Sequence, residues 1–181
     1  MEQHVTVHDK RFEIFLHRNK IWERVCELGK QIEEDYKGKN PLFVGVLNGS
    51  FIFAADLFHA IDIPAEISFI KLSSYQGTES TGSVLTVIGL KEDVNDRHVL
   101  VVEDIIDTGK TLSELLPIIN AQHPASLKVV SLLSKPDART HDVPIDYIGF
   151  EIPDKFVVGY GLDYDGAGRN LTHIYSVVDD Q

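Results

Sequence analysis

Six side chains within one short stretch of this chain can do chemistry together. The stretch is Val99-Leu100-Val101-Val102-Glu103-Asp104-Ile105-Ile106-Asp107-Thr108-Gly109-Lys110-Thr111. Glu103 and Asp104 are adjacent carboxylates placed where an apolar run ends. Asp107 follows in a turn that also carries Thr108, Gly109, Lys110 and Thr111. A turn of this kind, leading into a helix, suits an anion: the first amides of a helix lack intrahelical partners, the dipole adds partial positive charge, and threonine hydroxyls donate. Two neighbouring carboxylates repel each other and call for a cation or hydroxyl partners.

Two other readings of the stretch compete. Gly109-Lys110-Thr111 copies the end of a P-loop, but that motif needs a glycine where this chain has Asp104, and a carboxylate there repels the phosphates. An ordinary capped helix explains Asp107 or Thr108 as the N-cap. It leaves Glu103 and Asp104 unexplained.

The elements that must position these groups come next. Four apolar, mostly β-branched residues, 99–102, predict a strand buried on both faces. Leu112, Leu115, Leu116 and Ile119 predict the helix that follows, and Pro117 should kink it. Before them, residues 4–10 read as irregular. Ile21, Val25, Leu28 and Ile32 predict an amphipathic helix over 19–36, broken by Gly38-Lys39-Asn40-Pro41. A buried strand over 42–47, a tight Asn48-Gly49-Ser50 loop and an apolar helix over 51–61 follow. Strands are predicted over 65–72 and 83–90, separated by the polar run 73–82. Further strands are expected over 127–133, 147–150, 156–160 and 173–178. Alternating strands and helices predict a mainly parallel, twisted α/β sheet with helices on both faces, and in such sheets ligands sit beyond the carboxyl ends of the strands. Asn48-Gly49, 103–111 and Lys135 all fall at such ends.

At 181 residues and 43% hydrophobic the chain suits one domain spanning 1–181. It has no apolar run of membrane-spanning length and no signal-peptide pattern at its start. Cys26 stands alone, which suits a reducing cytoplasm. The net charge of −11 argues against a nucleic-acid partner, since no basic surplus is present to meet phosphates. The eight histidines show no metal-binding spacing.

The stretch 99–111 resembles the 5-phosphoribosyl-1-pyrophosphate (PRPP) motif of type I phosphoribosyltransferases, and its Glu-Asp-Ile-Ile-Asp-Thr-Gly form resembles the hypoxanthine-guanine phosphoribosyltransferases in particular. Four further segments match in order. Leu47-Asn48-Gly49-Ser50 is similar to the pyrophosphate loop, Leu72-Ser73-Ser74-Tyr75 with its polar continuation to the mobile β flap, and Leu133-Ser134-Lys135-Pro136 to the segment whose lysine meets the purine oxygen. The run from Ile148 through Asp154-Lys155-Phe156-Val157 to Asp163-Tyr164 is similar to the purine-binding segment, and Arg169 stands where the family keeps an arginine. Two positions depart from the family's pattern. Asn48 replaces a residue that is often basic, and Gly166-Ala167-Gly168 is glycine-rich where bulkier residues are common, which predicts a looser segment.

The resemblance implies a core over about 37–155 and a small hood made from the N-terminal segment and 156–181. It also implies transfer of a phosphoribosyl group from PRPP to N9 of a 6-oxopurine, with release of pyrophosphate. Asp107 would then be the general base at purine N7, and Asp107, Thr108, Gly109, Lys110 and Thr111 would cradle the 5′-phosphate. Glu103 and Asp104 would meet the ribose hydroxyls and, with Asp163, the Mg²⁺. Lys135 would donate to O6, Phe156 would stack on the purine, and the Val157 backbone would read the ring edge. Asn48, Gly49, Ser74, Tyr75 and Arg169 would serve pyrophosphate, with the Leu47–Asn48 peptide held cis. A homodimer or homotetramer is implied. An RNA-binding regulator built on the same fold is disfavoured by the acidic balance and by the intact purine segment. An amidotransferase needs a nucleophile that Cys26, in mid-helix, does not supply.

Overall fold

A computed structural model of the chain describes residues 4–75 and 84–178. In chain order the elements are β1 (His4–Val7), β2 (Lys10–Leu16), α1 (Arg18–Tyr36), β3 (Leu42–Leu47), α2 (Phe51–His59), β4 (Glu66–Tyr75), β5 (Val84–Ile88), β6 (His98–Ile106), α3 (Lys110–Asn120), β7 (Ser126–Ser134), β8 (Tyr147–Glu151), β9 (Val157–Val158) and β10 (Ile174–Val177). Among the described residues no helix is long and apolar enough to cross a membrane.

The main sheet has the order β5-β4-β3-β6-β7-β8. The five strands from β4 to β8 in that order are mutually parallel, and β5 lies antiparallel on the β4 edge. The central strand β6 carries the acidic stretch that begins at Val99. Its side chains alternate as a strand buried on both faces requires: Leu100 and Val102 join Ile21, Val25, Leu28 and Ile32 of α1 and Phe53 and Leu57 of α2. Val99 and Val101 join Leu112, Leu115 and Ile119 of α3 on the other face. Helices thus cover both faces, and each fully buried Leu or Ile contributes about 1.5–3 kcal/mol.

A second, four-stranded antiparallel sheet has the order β1-β2-β10-β9. It joins the first strands of the chain to the last, with Phe12, Val158 and Tyr175 at its centre. The irregular lead expected over residues 4–10 is therefore corrected. His4 through Val7 pair with Lys10 through Glu13 as a hairpin, a four-residue pairing whose shortness gives little signal until β10 supplies the other edge of β2.

Several boundaries also move. The strand expected over 156–160 is only Val157–Val158, because Gly159, Tyr160 and Gly161 all take positive φ and turn the chain away. The strand expected over 65–72 runs on to Tyr75, paired with β5. The run 73–82, expected as a flap, lies outside the described residues from 76 onward, as do the side chains of Ser74 and Tyr75. Pro117 sits inside α3, which continues to Asn120. The glycine-rich 166–168 segment is not loose: Tyr164 and Ala167 exchange both backbone hydrogen bonds across a two-residue turn. Asp165 (φ 47°) and Gly166 (φ 83°) supply the two left-handed positions such a turn demands.

Candidate active site

Parallel strands β3, β6, β7 and β8 end on one side of the sheet, and each end delivers polar groups. The β6 end gives the loop 107–109, which feeds α3. Its N-cap is Gly109, in the left-handed region (φ 80°), with no side-chain cap. The competing reading of Asp107 or Thr108 as the N-cap therefore does not hold. Thr108 still contributes, since its Oγ1 accepts from the Lys110 amide at 3.3 Å. The loop is held from outside by 140–141, whose amides both donate to the Thr108 carbonyl at 3.0 Å. A 90 Å³ cavity lies within the loop, lined by Glu103, Asp107, Thr108, Gly109 and Thr111 among others. Loop amides, hydroxyls and a helix start converge there, which is the chemistry of a phosphate cradle.

The two adjacent carboxylates stay within reach of each other while each meets a different part of the site. Glu103 is buried and lines the loop cavity. Asp104 lies against Gly49 of the β3 end so closely that any side chain at position 49 would run into its carboxylate. The Leu47–Asn48 peptide is cis, as the resemblance implied. Gly49 in turn touches Gly161, whose carbonyl accepts from Arg169 Nη1 at 2.7 Å. Arg169 Nη2 pairs with Asp163 Oδ1 at 2.7 Å, and Asp163 Oδ2 accepts from the Gly166 amide. Gly49, Asp104, Asp163 and Arg169, expected together at the pyrophosphate and metal, are brought together.

This cluster is electrostatically unbalanced. Burial, then the neighbouring Asp104 charge, pushes the Glu103 carboxyl well above the ordinary glutamate range. Burial also pushes Asp104 up to about 6, against the pull of backbone amides and of Arg169. Among the described residues no three His, Cys, Asp or Glu side chains form a ready-made metal cage. Two underpaired carboxylates with Asp163 nearby instead suit a cation that takes few protein ligands and completes its shell with substrate oxygens and water, as Mg²⁺ does.

A stability prediction follows from the sign of the Asp104 shift. An acid whose folded pKa is raised stabilises the fold below its unfolded pKa, and that contribution is lost as pH rises through the folded value. Between pH 5 and pH 8 the ligand-free protein should lose on the order of 1–2 kcal/mol from Asp104, which keeps some access to water. Asp104→Asn should flatten that fall, and thermal melts at the two pH values check it. The same loss in both proteins would mean that Asp104 is not under this stress.

A second cluster forms where β6, β7 and β8 end side by side. The Lys135 amide donates to the Ile106 carbonyl and the Ile152 amide to the Ser134 carbonyl, each at 2.9 Å, so the three ends are tied together. Lys135 is buried, and its Nζ bonds Asp107 Oδ2 at 3.1 Å and Asp154 Oδ1 at 3.0 Å. Phe156 stays 42% exposed although Tyr164 meets its ring edge-on at 5.5 Å, which leaves ring surface for a ligand. Val157 is fixed in β9 beside it. Asp154 and the 140–141 brace were missed by sequence reasoning. Asp154 does stand in the quoted purine segment just past a strand end; the brace gives no sequence signal.

Known proteins show the same arrangement of chain. The family model "Phosphoribosyl transferase domain" matches residues 13–165. A hypoxanthine phosphoribosyltransferase of Haemophilus influenzae is 45% identical over 170 residues, covering 92% of this chain and 95% of its own length. One from Escherichia coli is 44% identical over 169 residues, with 92% and 95% covered. A crystal structure of a hypoxanthine-guanine phosphoribosyltransferase from Bacillus anthracis superposes with a TM-score of 0.83 at 40% identity, covering 92% of this chain and 99% of that one.

Proposed function

The chain belongs to the phosphoribosyl transferase family and, within it, to the hypoxanthine phosphoribosyltransferases, and from that premise we propose that it transfers the 5-phosphoribosyl group of PRPP to N9 of hypoxanthine. The products are IMP and pyrophosphate; guanine, giving GMP, is the second base. The observation that carries this reading is the Lys135–Asp107 pair, a donor and an acceptor 3.1 Å apart at the strand ends. A 6-oxopurine presents the complementary edge, an acceptor at O6 beside a donor at N7–H. Adenine presents a donor at position 6 instead.

In this reading Phe156 stacks on the purine, the Val157 backbone meets its ring edge, and the 107–111 loop holds the 5′-phosphate. The small sheet forms a hood over the purine. Asp107 takes the N7 proton as the N9 lone pair forms the bond to C1′; the C1′–O bond breaks and its electrons leave with pyrophosphate. The centre passes through oxocarbenium character, as in glycoside cleavage. Glu103 and Asp104 receive the ribose hydroxyls, while Asn48 and Gly49 face the leaving group through their backbone. Asp104 and Asp163, with Glu103 behind them, would hold Mg²⁺. Bound there, the ion would neutralise developing charge on pyrophosphate. The working form is a cytoplasmic homodimer or homotetramer that binds no nucleic acid.

Steady-state rates of nucleotide formation from hypoxanthine, guanine and xanthine with PRPP and Mg²⁺ test the reading, run beside a filter-binding assay with RNA. Transfer to hypoxanthine without RNA retention is expected, and RNA retention without transfer would overturn it.

The pyrophosphate side gives a separate expectation. Asn48 brings no charge, so Arg169 is the cationic contact there, placed by Gly161 and Asp163. A bidentate, charge-assisted bond exceeds a neutral one about twofold in strength. Arg169→Ala should therefore weaken pyrophosphate binding roughly tenfold or more, the scale of a lost hydrogen bond to a charged group. Asn48→Ala should change it little. Competition by pyrophosphate against PRPP measures both, and equal losses would show that the division of labour is mistaken.

A further inference from the structure

Lys135 is held by two carboxylates, and only one of them is needed for the purine edge. Its ammonium sits 3.1 Å from Asp107 and 3.0 Å from Asp154, with 7% of the side chain exposed. An ammonium has three N–H donors. Two are spent on these carboxylates, and the third is left for an acceptor at purine position 6. The two carboxylates have different fates in the reaction. Asp107 takes a proton and becomes neutral, whereas Asp154, three residues beyond the end of β8, has no proton to receive.

We propose that Asp154 is a positioning residue for the transfer reaction, holding the Lys135 ammonium paired and aimed at the purine oxygen while Asp107 is neutralised by the N7 proton. The proposal deepens the reading above and rests on it. A buried ammonium that loses its sole counter-charge is strongly disfavoured. Without Asp154, proton transfer to Asp107 would create that situation at the moment the C1′–N9 bond forms. With Asp154 in place the pair persists, and the cost does not fall on the chemical step. The tie between the β7 and β8 ends, through the Ile152 amide and the Ser134 carbonyl, keeps Asp154 two residues from a fixed point. Asp154 is itself 63% exposed, so replacing it disturbs little packing.

The effect should therefore appear in turnover, not in assembly of the substrate complex. Asp154→Asn keeps the shape and an acceptor oxygen but removes the charge. It should lower kcat for IMP formation roughly tenfold or more, the scale of a lost charge-assisted bond, with KM for PRPP unchanged. Asp154→Glu should restore most of the lost kcat. Wild-type kcat in Asp154→Asn would overturn the proposal. So would a loss that raises KM for PRPP in step with kcat and that Asp154→Glu repeats in full, since that pattern marks general disruption of the loop. Failure of the unmodified protein to form IMP would instead sink the functional reading itself, so the two failures are distinguishable.

Discussion

Asp107→Asn should lower kcat for IMP formation by roughly 10²-fold or more, the scale on which a positioned general base acts, while PRPP binding changes little. The structure makes this substitution a clean one. Asp107 is not the N-cap of α3; Gly109 is, without a side-chain cap, so the helix start does not depend on the carboxylate. The amide oxygen of asparagine can still accept from Lys135 in place of Asp107 Oδ2. The loop amides and Thr108 remain in place for the phosphate. What disappears is a group able to take the N7 proton. Parallel measurement of kcat and of KM for PRPP checks the claim. A variant with near-normal kcat would remove Asp107 from the chemistry and leave it only a place in the loop.

How much of this was legible in the sequence depends on what kind of force fixes each part. The β6 strand was visible because burial on both faces demands an unbroken apolar run, and 99–102 supply one. Helix α1 was visible through the three-to-four-residue spacing of Ile21, Val25, Leu28 and Ile32, all of which are buried. The β1–β2 hairpin was not visible. β1 pairs only with β2, and β2 gains its other partner, β10, from the opposite end of the chain, a long-range pairing that leaves little local signal. The end of β9 was misjudged for a related reason: Val157 to Tyr160 has strand composition, but positive φ at Gly159, Tyr160 and Gly161 serves the approach to Gly49.

The site divides along the same line. Residue types and their order announced Asp107, Lys135, Phe156 and Arg169, because each motif is contiguous. The approach of Asp104 to Gly49 could not be read, since it depends on β3 and β6 lying side by side. The brace from 140–141 onto the Thr108 carbonyl could not be read, since backbone donors carry no residue identity. Asp154 lay between these cases. Its position after a strand end was visible, but its bond to Lys135 depends on β7 and β8 ending side by side.

Purine choice gives the other large effect. A site that presents a donor at position 6 rejects an analogue carrying a donor there, and mismatched buried hydrogen bonds of this kind discriminate by about 10⁴–10⁵ in kcat/KM. Lys135 is such a donor and cannot accept. Its pairing with both Asp107 and Asp154 holds it in place, so it has no means of adapting to the adenine amino group. The unmodified protein should therefore use hypoxanthine and ignore adenine. Lys135→Gln changes the logic, because a carboxamide can present either its oxygen or its NH₂. The adenine-to-hypoxanthine ratio of kcat/KM should rise by about 10²-fold or more, a large part of the original discrimination. Most of that rise should come from a fall with hypoxanthine, since Asp107 and Asp154 would then face each other without the ammonium between them. Rates with both bases for both proteins decide the matter. Adenine turnover by the unmodified protein at a rate comparable to hypoxanthine would show that Lys135 does not read position 6.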